Sequence, residues 1–167
     1  MNKNILPLHP DDLHEVYAHV GEAVWQIQYF ENTLVHYLAM VFKIPPKFSA
    51  DEAYAILENT AKKTLGQLLK ELRNHSTVPD NFDIRLQEFL KERNWLVHRS
   101  RHENHTDLYS QEKLIALIAR LQKLSDEALL LNKEFAKILE EWVIKRGIKK
   151  EYIDKVSKEI LNRWIRR

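Results

Sequence analysis

Nine apolar residues recur between positions 114 and 142 at alternating intervals of three and four residues, and this pattern constrains the fold most. They are Leu114, Leu117, Leu121, Leu124, Ala128, Leu131, Phe135, Ile138 and Trp142. Only an α-helix brings residues with this spacing onto one face, so the pattern predicts a long helix that is packed along its length. Gly147 favours a C-terminal cap, which predicts the end of this helix near Arg146.

A second apolar seam with the same spacing predicts a first helix that begins at Pro10 and runs to about Lys43. Its members are Leu13, Tyr17, Val20, Val24, Ile27, Leu34, Leu38 and Val41. Glu31 occupies the place in this seam where the pattern demands another apolar residue. An unpaired charge buried there would cost several kcal/mol, so Glu31 needs a partner.

Shorter helices are predicted between these two long ones. Residues 49–52, SADE, resemble a capping box at the start of a helical stretch that breaks near residues 60–64. Residues 74–81, NHSTVPDN, form the clearest loop, and Asp80 or Asn81 is expected to cap the helix that follows.

The sequence therefore predicts an all-α fold, a bundle of four to six helices with long antiparallel helices, over residues 1–147. Three glycines, five prolines and the lack of a strand pattern favour helices over a turn-rich β fold. The absence of cysteine excludes disulfides and thiolate metal sites. No apolar run approaches the roughly 20 residues of a membrane span, and the N-terminus lacks the apolar core of a signal peptide. We therefore expect a cytoplasmic protein with no membrane contact.

Residues 148–167 are predicted to form a basic helix that is packed on, or extends, the same domain. From Lys145 to Arg167, nine basic residues oppose three acidic ones, a formal charge of +6, although the whole chain carries only +2. The apolar residues at intervals of four that give this helix a face to bury are Tyr152, Val156, Ile160 and Trp164. A basic segment can bind phosphate or can be a solvated helix face, and both interpretations stay open.

The stretch KERNWLVHRSRHE, residues 91–103, places polar residues in and beside the apolar face of its helix. On a helical wheel of about 100° per residue, Arg93 falls in the middle of the apolar stripe, and Asn94 and His98 share one flank. The apolar stripe consists of Leu86, Phe89, Leu90, Leu96 and Val97. Glu31 is the obvious partner of Arg93, because each is the lone charge of an apolar seam. The pair either fixes the register of two helices or holds the guanidinium while its other donors face a ligand.

Arg93, Asn94 and His98 have side chains suited to cleaving an RNA strand without a metal ion. Imidazole ordinarily titrates near neutrality, so His98 can take a proton from one oxygen and return it to another. Arg93 offers a planar fork that fits phosphate, and Asn94 can donate to an oxyanion or orient the imidazole. No carboxylate cluster suited to two metal ions stands out, and His98 with His102 lacks a third zinc ligand, so neither metal nor cofactor is expected. The residues alone leave a purely structural role for Glu31 and Arg93 open.

Four further residues around the motif are candidate RNA-binding residues, because basic side chains can track an RNA backbone. They are Lys91, Arg99, Arg101 and His102. Exposed basic residues are more often solvated surface, and this interpretation also stays open.

Arg93-Asn94-x-x-x-His98 resembles the RNxxxH motif of the HEPN superfamily, and the surrounding helices match its all-α context. The resemblance implies a HEPN-like helical domain over residues 1–147 that forms a homodimer and joins two motifs in one composite groove. It implies a metal-independent endoribonuclease of a toxin–antitoxin or antiphage defence system, with a catalytic site of Arg93, Asn94 and His98 and products with 2′,3′-cyclic phosphate ends. Catalytically inactive members of the superfamily bind protein or RNA, which is the alternative.

Ser100 departs from one branch of that superfamily. HEPN toxins that are paired with a minimal nucleotidyltransferase often carry a modified tyrosine two residues after the histidine, where this chain has Ser100. Ser100 therefore argues against an antitoxin of that kind. The resemblance still implies RNA as the substrate and an antitoxin or defence-system protein as a partner.

Overall fold

The computed structural model describes residues 9–45, 47–75 and 79–165, and these residues contain helices and no strand. Their seven α-helices are α1 (Pro10–Leu38), α2 (Ala50–Ala61), α3 (Leu65–His75), α4 (Asp80–His98), α5 (Ser100–Asn104), α6 (Gln111–Lys145) and α7 (Lys150–Ile165). A π-helical segment, Ala39–Lys43, extends α1, and a 3₁₀ turn, Asp107–Tyr109, precedes α6. The predicted all-α class is confirmed. Six of the seven α-helices lie within residues 1–147, and α7 lies in the basic C-terminal segment.

The two longest helices, α1 and α6, pack against each other along their lengths and form the centre of the fold. Near one end, the side chain of Gln122 lies 3.4 Å from that of His19. Further along both helices, Thr33 donates a hydrogen bond to the Asn132 side chain at 2.6 Å. Residue numbers rise together in these contacts, so α1 and α6 run parallel, and the prediction of antiparallel long helices is wrong for this pair. The spacing of apolar residues identifies the buried face but not the direction of the neighbouring helix.

Helix α4 lies against α6 and runs in the opposite direction. Arg85, near the start of α4, pairs with Glu134 in the second half of α6 at 2.9 Å. Glu92, two turns further along α4, pairs with Arg120 in the first half of α6 at 2.7 Å. The antiparallel prediction therefore holds for α4 and α6. As a result, α4 ends at the same end of the bundle at which α1 and α6 begin.

Phe30 joins three helices and marks the buried face of α1. Its fully buried ring contacts Phe89 of α4 and Phe135 of α6, with centroid distances of 5.3 and 5.6 Å. The buried residues of α1 are Val16, Ala23, Ile27, Phe30, Leu34, Val35 and Leu38. Tyr17, which was predicted in the seam, is 64% exposed, so this prediction is wrong. The core is centred on Phe30 rather than on the Glu31 position, because α4 and α6 both meet α1 there.

The start of α2 and the end of α6 have the local structure that the sequence predicted. The Ser49 hydroxyl accepts a hydrogen bond from the Glu52 N–H at 3.2 Å, and the Glu52 carboxylate accepts one from the Ser49 N–H at 2.7 Å. This is the predicted capping box, and it starts α2. Gly147 follows the end of α6 with a φ of 92°, a left-handed conformation that glycine adopts without the strain of a side chain.

The segment between α1 and α4 folds as two helices. Residues 62–64 separate α2 from α3, which confirms the predicted break. Helix α4 begins at Asp80, and Pro79 holds its cap position without a side-chain hydrogen bond. The prediction that Asp80 or Asn81 caps this helix is therefore wrong. Residues 76–78 of the predicted loop lie outside the described residues.

Helix α7 is attached at its start by an ion pair. Lys150 Nζ lies 3.0 Å from the Glu140 carboxylate of α6, and Ile153 and Val156 are half-buried. Tyr152, predicted on the buried face, is exposed, so this part of the prediction is wrong. The side chains of Ile160 and Trp164 lie outside the described ones. No helix in the described ranges is both long and apolar enough to cross a membrane.

Replacing Phe30 with alanine tests the central position of this ring. Phe30→Ala is expected to lower the free energy of unfolding by about 3–5 kcal/mol, because it removes buried apolar area and leaves a cavity. The matched control is Tyr29→Ala, since Tyr29 is the adjacent aromatic residue and is mostly exposed. That change should stay within about 0.5 kcal/mol. Urea unfolding measures both, and equal losses would contradict the assigned core.

Candidate functional site

Arg93 points from α4 towards α1 and pairs with Glu31. Its Nε donates a hydrogen bond to Glu31 Oε1 at 3.1 Å, and its Nη2 lies 3.1 Å from the same oxygen. The two side chains are 22% and 25% exposed, so the pair sits at the edge of the core rather than inside it. The predicted contact between Glu31 and Arg93 is confirmed. Because one carboxylate oxygen takes both contacts, Glu31 holds a single edge of the guanidinium.

Asn94 contacts the other side of the same guanidinium. Arg93 Nη1 donates to Asn94 Oδ1 at 3.4 Å, and Asn94 is half-buried. The amide oxygen is thereby used as an acceptor, and Nδ2 has no partner among the described residues. Asn94 can therefore donate a hydrogen bond to an anion while it contacts Arg93.

His98 is the last residue of α4 and is exposed. It lines a surface hollow of about 550 Å³ together with Arg101, His102 and His105, which we call the histidine hollow. Arg93 does not line it. His98 is five positions after Arg93, which turns their side chains about 140° apart around the helix axis. One chain therefore directs its guanidinium towards α1 and its imidazole away from α1.

The apolar stripe of α4 differs from the predicted one at its C-terminal end. Val97, predicted to be buried, is 51% exposed, whereas Trp95 is 1% exposed. The Arg120 guanidinium of α6 lies over the Trp95 ring, 3.5 Å from its centroid. The same guanidinium donates a hydrogen bond to Glu92, which lowers the pKa of that carboxyl below its usual value. The contact with α6 therefore widens the buried face of α4 beyond the predicted stripe.

Helix α3 covers the neighbouring side of α4 over only part of its length. Gly66, in the first turn of α3, lies beside Leu90, and the helix begins at Leu65. The last two turns of α4 extend beyond this point. Val97 and His98 lie in these turns, and both are exposed.

The structure separates the four candidate RNA-binding residues. Arg101 and His102 lie with His98 in the histidine hollow. Lys91 lines a different groove, between α4 and α6. Arg99 is 3.5 Å from the Glu103 carboxylate, an ion pair between two exposed side chains.

His105 is a candidate site residue that the sequence analysis did not select. It lies in the histidine hollow, and its Nδ1 is 2.7 Å from the carbonyl oxygen of His102. The signal was present in the sequence, because positions 98, 102 and 105 follow the spacing of one helix face. In the described part of the chain, no group of three or more acidic or histidine side chains is arranged to hold a metal ion.

Comparison of the chain with protein-family models, with curated protein sequences and with solved structures finds no match.

Replacing Glu31 tests whether it supports Arg93. Glu31→Gln is expected to lower the free energy of unfolding by about 1–3 kcal/mol, because it leaves a partly buried guanidinium without its carboxylate. The control is Glu103→Gln, which removes the exposed carboxylate beside Arg99. Its effect should be about 0–1 kcal/mol. Thermal and urea unfolding measure both, and a Glu31→Gln protein as stable as the unmodified chain would refute the supporting role.

Proposed function

We propose that this protein is a HEPN-like, metal-independent endoribonuclease that acts as a homodimer in a toxin–antitoxin or antiphage defence system. One observation carries the proposal. Arg93 is held by Glu31 and contacts Asn94, and His98 stands exposed one turn further along the same helix. This arrangement supplies a hydrogen-bond donor for phosphate, a polar positioning group and a proton-transfer group. The three residues have the spacing of the RNxxxH motif.

The reaction that fits these groups is an internal transesterification of RNA. A neutral His98 imidazole takes the proton of the 2′-hydroxyl, and the 2′-oxygen attacks the adjacent phosphorus. The bond between phosphorus and the 5′-oxygen breaks, and an imidazolium returns a proton to that oxygen. The products are a 2′,3′-cyclic phosphate and a 5′-hydroxyl, and no redox partner or external nucleophile is required.

Arg93 is suited to stabilising the charge that develops on the phosphoryl oxygens. Its contacts with Glu31 and Asn94 restrict the guanidinium before substrate binds, and N–H donors remain without a partner among the described residues. A donor fixed in advance in this way commonly contributes about 10²–10³ in rate. Asn94 would add its free amide group to the same oxygens.

A second copy of the chain is needed to bring these groups together. Within one chain, Arg93 and His98 point about 140° apart, so they do not converge on one phosphate. A two-fold axis beside the C-terminal turns of α4 would place His98 across a shared groove from the partner's Arg93. The exposed Val97 and the lack of α3 cover in this region support an interface there.

Cleavage of RNA in the presence of EDTA is the direct test. The protein is expected to cut single-stranded RNA to products with 2′,3′-cyclic phosphate ends and to leave DNA intact, because DNA lacks the 2′-hydroxyl. His98→Ala should lower the rate by about 10²–10⁴, with unchanged stability, since His98 is exposed. His14→Ala, which replaces an exposed histidine of α1, is the matched control and should retain full activity.

Three outcomes would overturn this mechanism: a requirement for magnesium, equal cleavage of DNA, or full cleavage by His98→Ala. The absence of any cleavage would favour the alternative that the protein is a catalytically inactive HEPN-like module for binding protein or RNA. Arg93→Ala should reduce both cleavage and stability, because Arg93 also pairs with Glu31 at the edge of the core.

The homodimer is tested by replacing the exposed apolar residue beside the motif. Val97→Glu is expected to shift a dimer towards monomer in analytical ultracentrifugation and to lower cleavage in parallel, because it places charge in the interface. Ile84→Glu is the control, since Ile84 is similarly exposed near the opposite end of α4. An unmodified protein that is monomeric at micromolar concentration and fully active would rule out the composite site.

A further inference from the structure

The four residues of the histidine hollow lie along one face of an almost continuous helix. Helix α4 ends at His98 and α5 begins at Ser100, with Arg99 between them at a φ of −130°. The backbone ladder continues across this position, because Arg99 N–H donates to the Trp95 carbonyl and Glu103 N–H donates to the Arg99 carbonyl, each at 2.9 Å. The face is therefore preserved, and the four residues follow the spacing i, i+3, i+4 and i+7.

The acidic residues nearest the histidine hollow are occupied elsewhere. Glu103 pairs with Arg99 at 3.5 Å. Asp107 accepts hydrogen bonds from Asn104 at 2.7 Å and from Lys113 at 2.9 Å, and these donors, with a smaller contribution from the charge of the nearby His105, lower the pKa of its carboxyl. Within the described residues, no carboxylate lies within ion-pair distance of Arg101, His102 or His105. Among these described residues, the permanent charge of Arg101 therefore has no counterion within ion-pair distance.

The two imidazoles beside Arg101 are held as a pair. Their rings stack with an interplanar angle of 26° and a centroid distance of 6.3 Å. A carbonyl oxygen only accepts hydrogen bonds, so the short contact from His105 Nδ1 to the His102 carbonyl places a proton on Nδ1. His105 Nε2 is consequently the nitrogen left for a ligand. Protonation at Nε2 would convert it into a charged donor.

We propose that Arg101, His102 and His105 bind the phosphate that follows or precedes the scissile one in an RNA strand. This assignment rests on the proposed function, because it places the strand along α5 after it passes His98. A guanidinium fork and imidazolium donors are a suitable set for a phosphodiester. The row from His98 to His105 extends about 10 Å, which is longer than one phosphate group. Imidazoles titrate between pH 5 and 8, so binding should strengthen as the pH falls.

The site is tested by binding rather than by cleavage. The probe is a fluorescent single-stranded oligonucleotide with 2′-O-methyl groups, which the proposed reaction cannot cleave, and anisotropy measures its Kd at pH 6 and pH 8. The variant His102→Gln/His105→Gln should lose most of the tightening between pH 8 and pH 6. At pH 6 its slope of log K against log salt should be smaller by up to about 0.7, the value for one phosphate contact on a single strand. His14→Gln is the control and should behave as the unmodified protein.

The outcomes separate this site from the proposed nuclease. If the double variant binds as tightly as the unmodified protein at both pH values, with the same salt slope, the phosphate site is refuted, even if RNA is cleaved. If binding depends on the two histidines but RNA is not cleaved, the site stands and the nuclease proposal fails. Equal histidine-dependent binding of a polyglutamate peptide would overturn the assignment to nucleic acid. If inorganic phosphate binds this site as tightly as the oligonucleotide does, the assignment to a nucleic-acid strand is overturned.

Discussion

The contact of Phe30 with Phe89 and Phe135 is the interaction on which the candidate site depends. These ring contacts bring α1, α4 and α6 together at the same height along the bundle. The residue that follows Phe30 in α1 is Glu31. Arg93 lies one helical turn after Phe89, on the same side of α4. The aromatic contact therefore places the carboxylate opposite the guanidinium. The geometry of Arg93 follows from the packing of three apolar rings more than from attraction between the two charges.

This dependence explains why Arg93 and His98 differ in character although they belong to one motif. Arg93 takes part in the fold through Glu31, and a change there disturbs the edge of the core. His98 lies beyond the cover of α3 and makes no comparable contact among the described residues. The helix thus has one residue fixed by packing and one exposed to solvent, an arrangement in which a ligand can approach without rearrangement of the core.

The sequence predicted the helices and the pairing of Glu31 with Arg93 because both depend on local periodicity and on the cost of a buried charge. It did not predict the parallel direction of α1 and α6, since periodicity carries no information about a distant neighbour. The burial of Trp95 was missed for a similar reason, because Arg120, the residue that covers it, lies on another helix. His105 was missed because the sequence does not show that α5 follows α4 almost without a break and so keeps positions 98, 102 and 105 on one face.

The parallel pairing of α1 with α6 has a consequence for how the chain folds during synthesis. The contacts between the two helices join residues about 100 positions apart, such as Thr33 with Asn132 and His19 with Gln122. At about 5–20 residues per second, the ribosome completes α6 several seconds after α1 has emerged. During that interval, the apolar face of α1 lacks its main partner and has only α2, α3 and α4 to cover it. Chaperones that recognise exposed apolar helices therefore have a defined interval in which to bind the nascent chain. That interval ends when α6 leaves the ribosome.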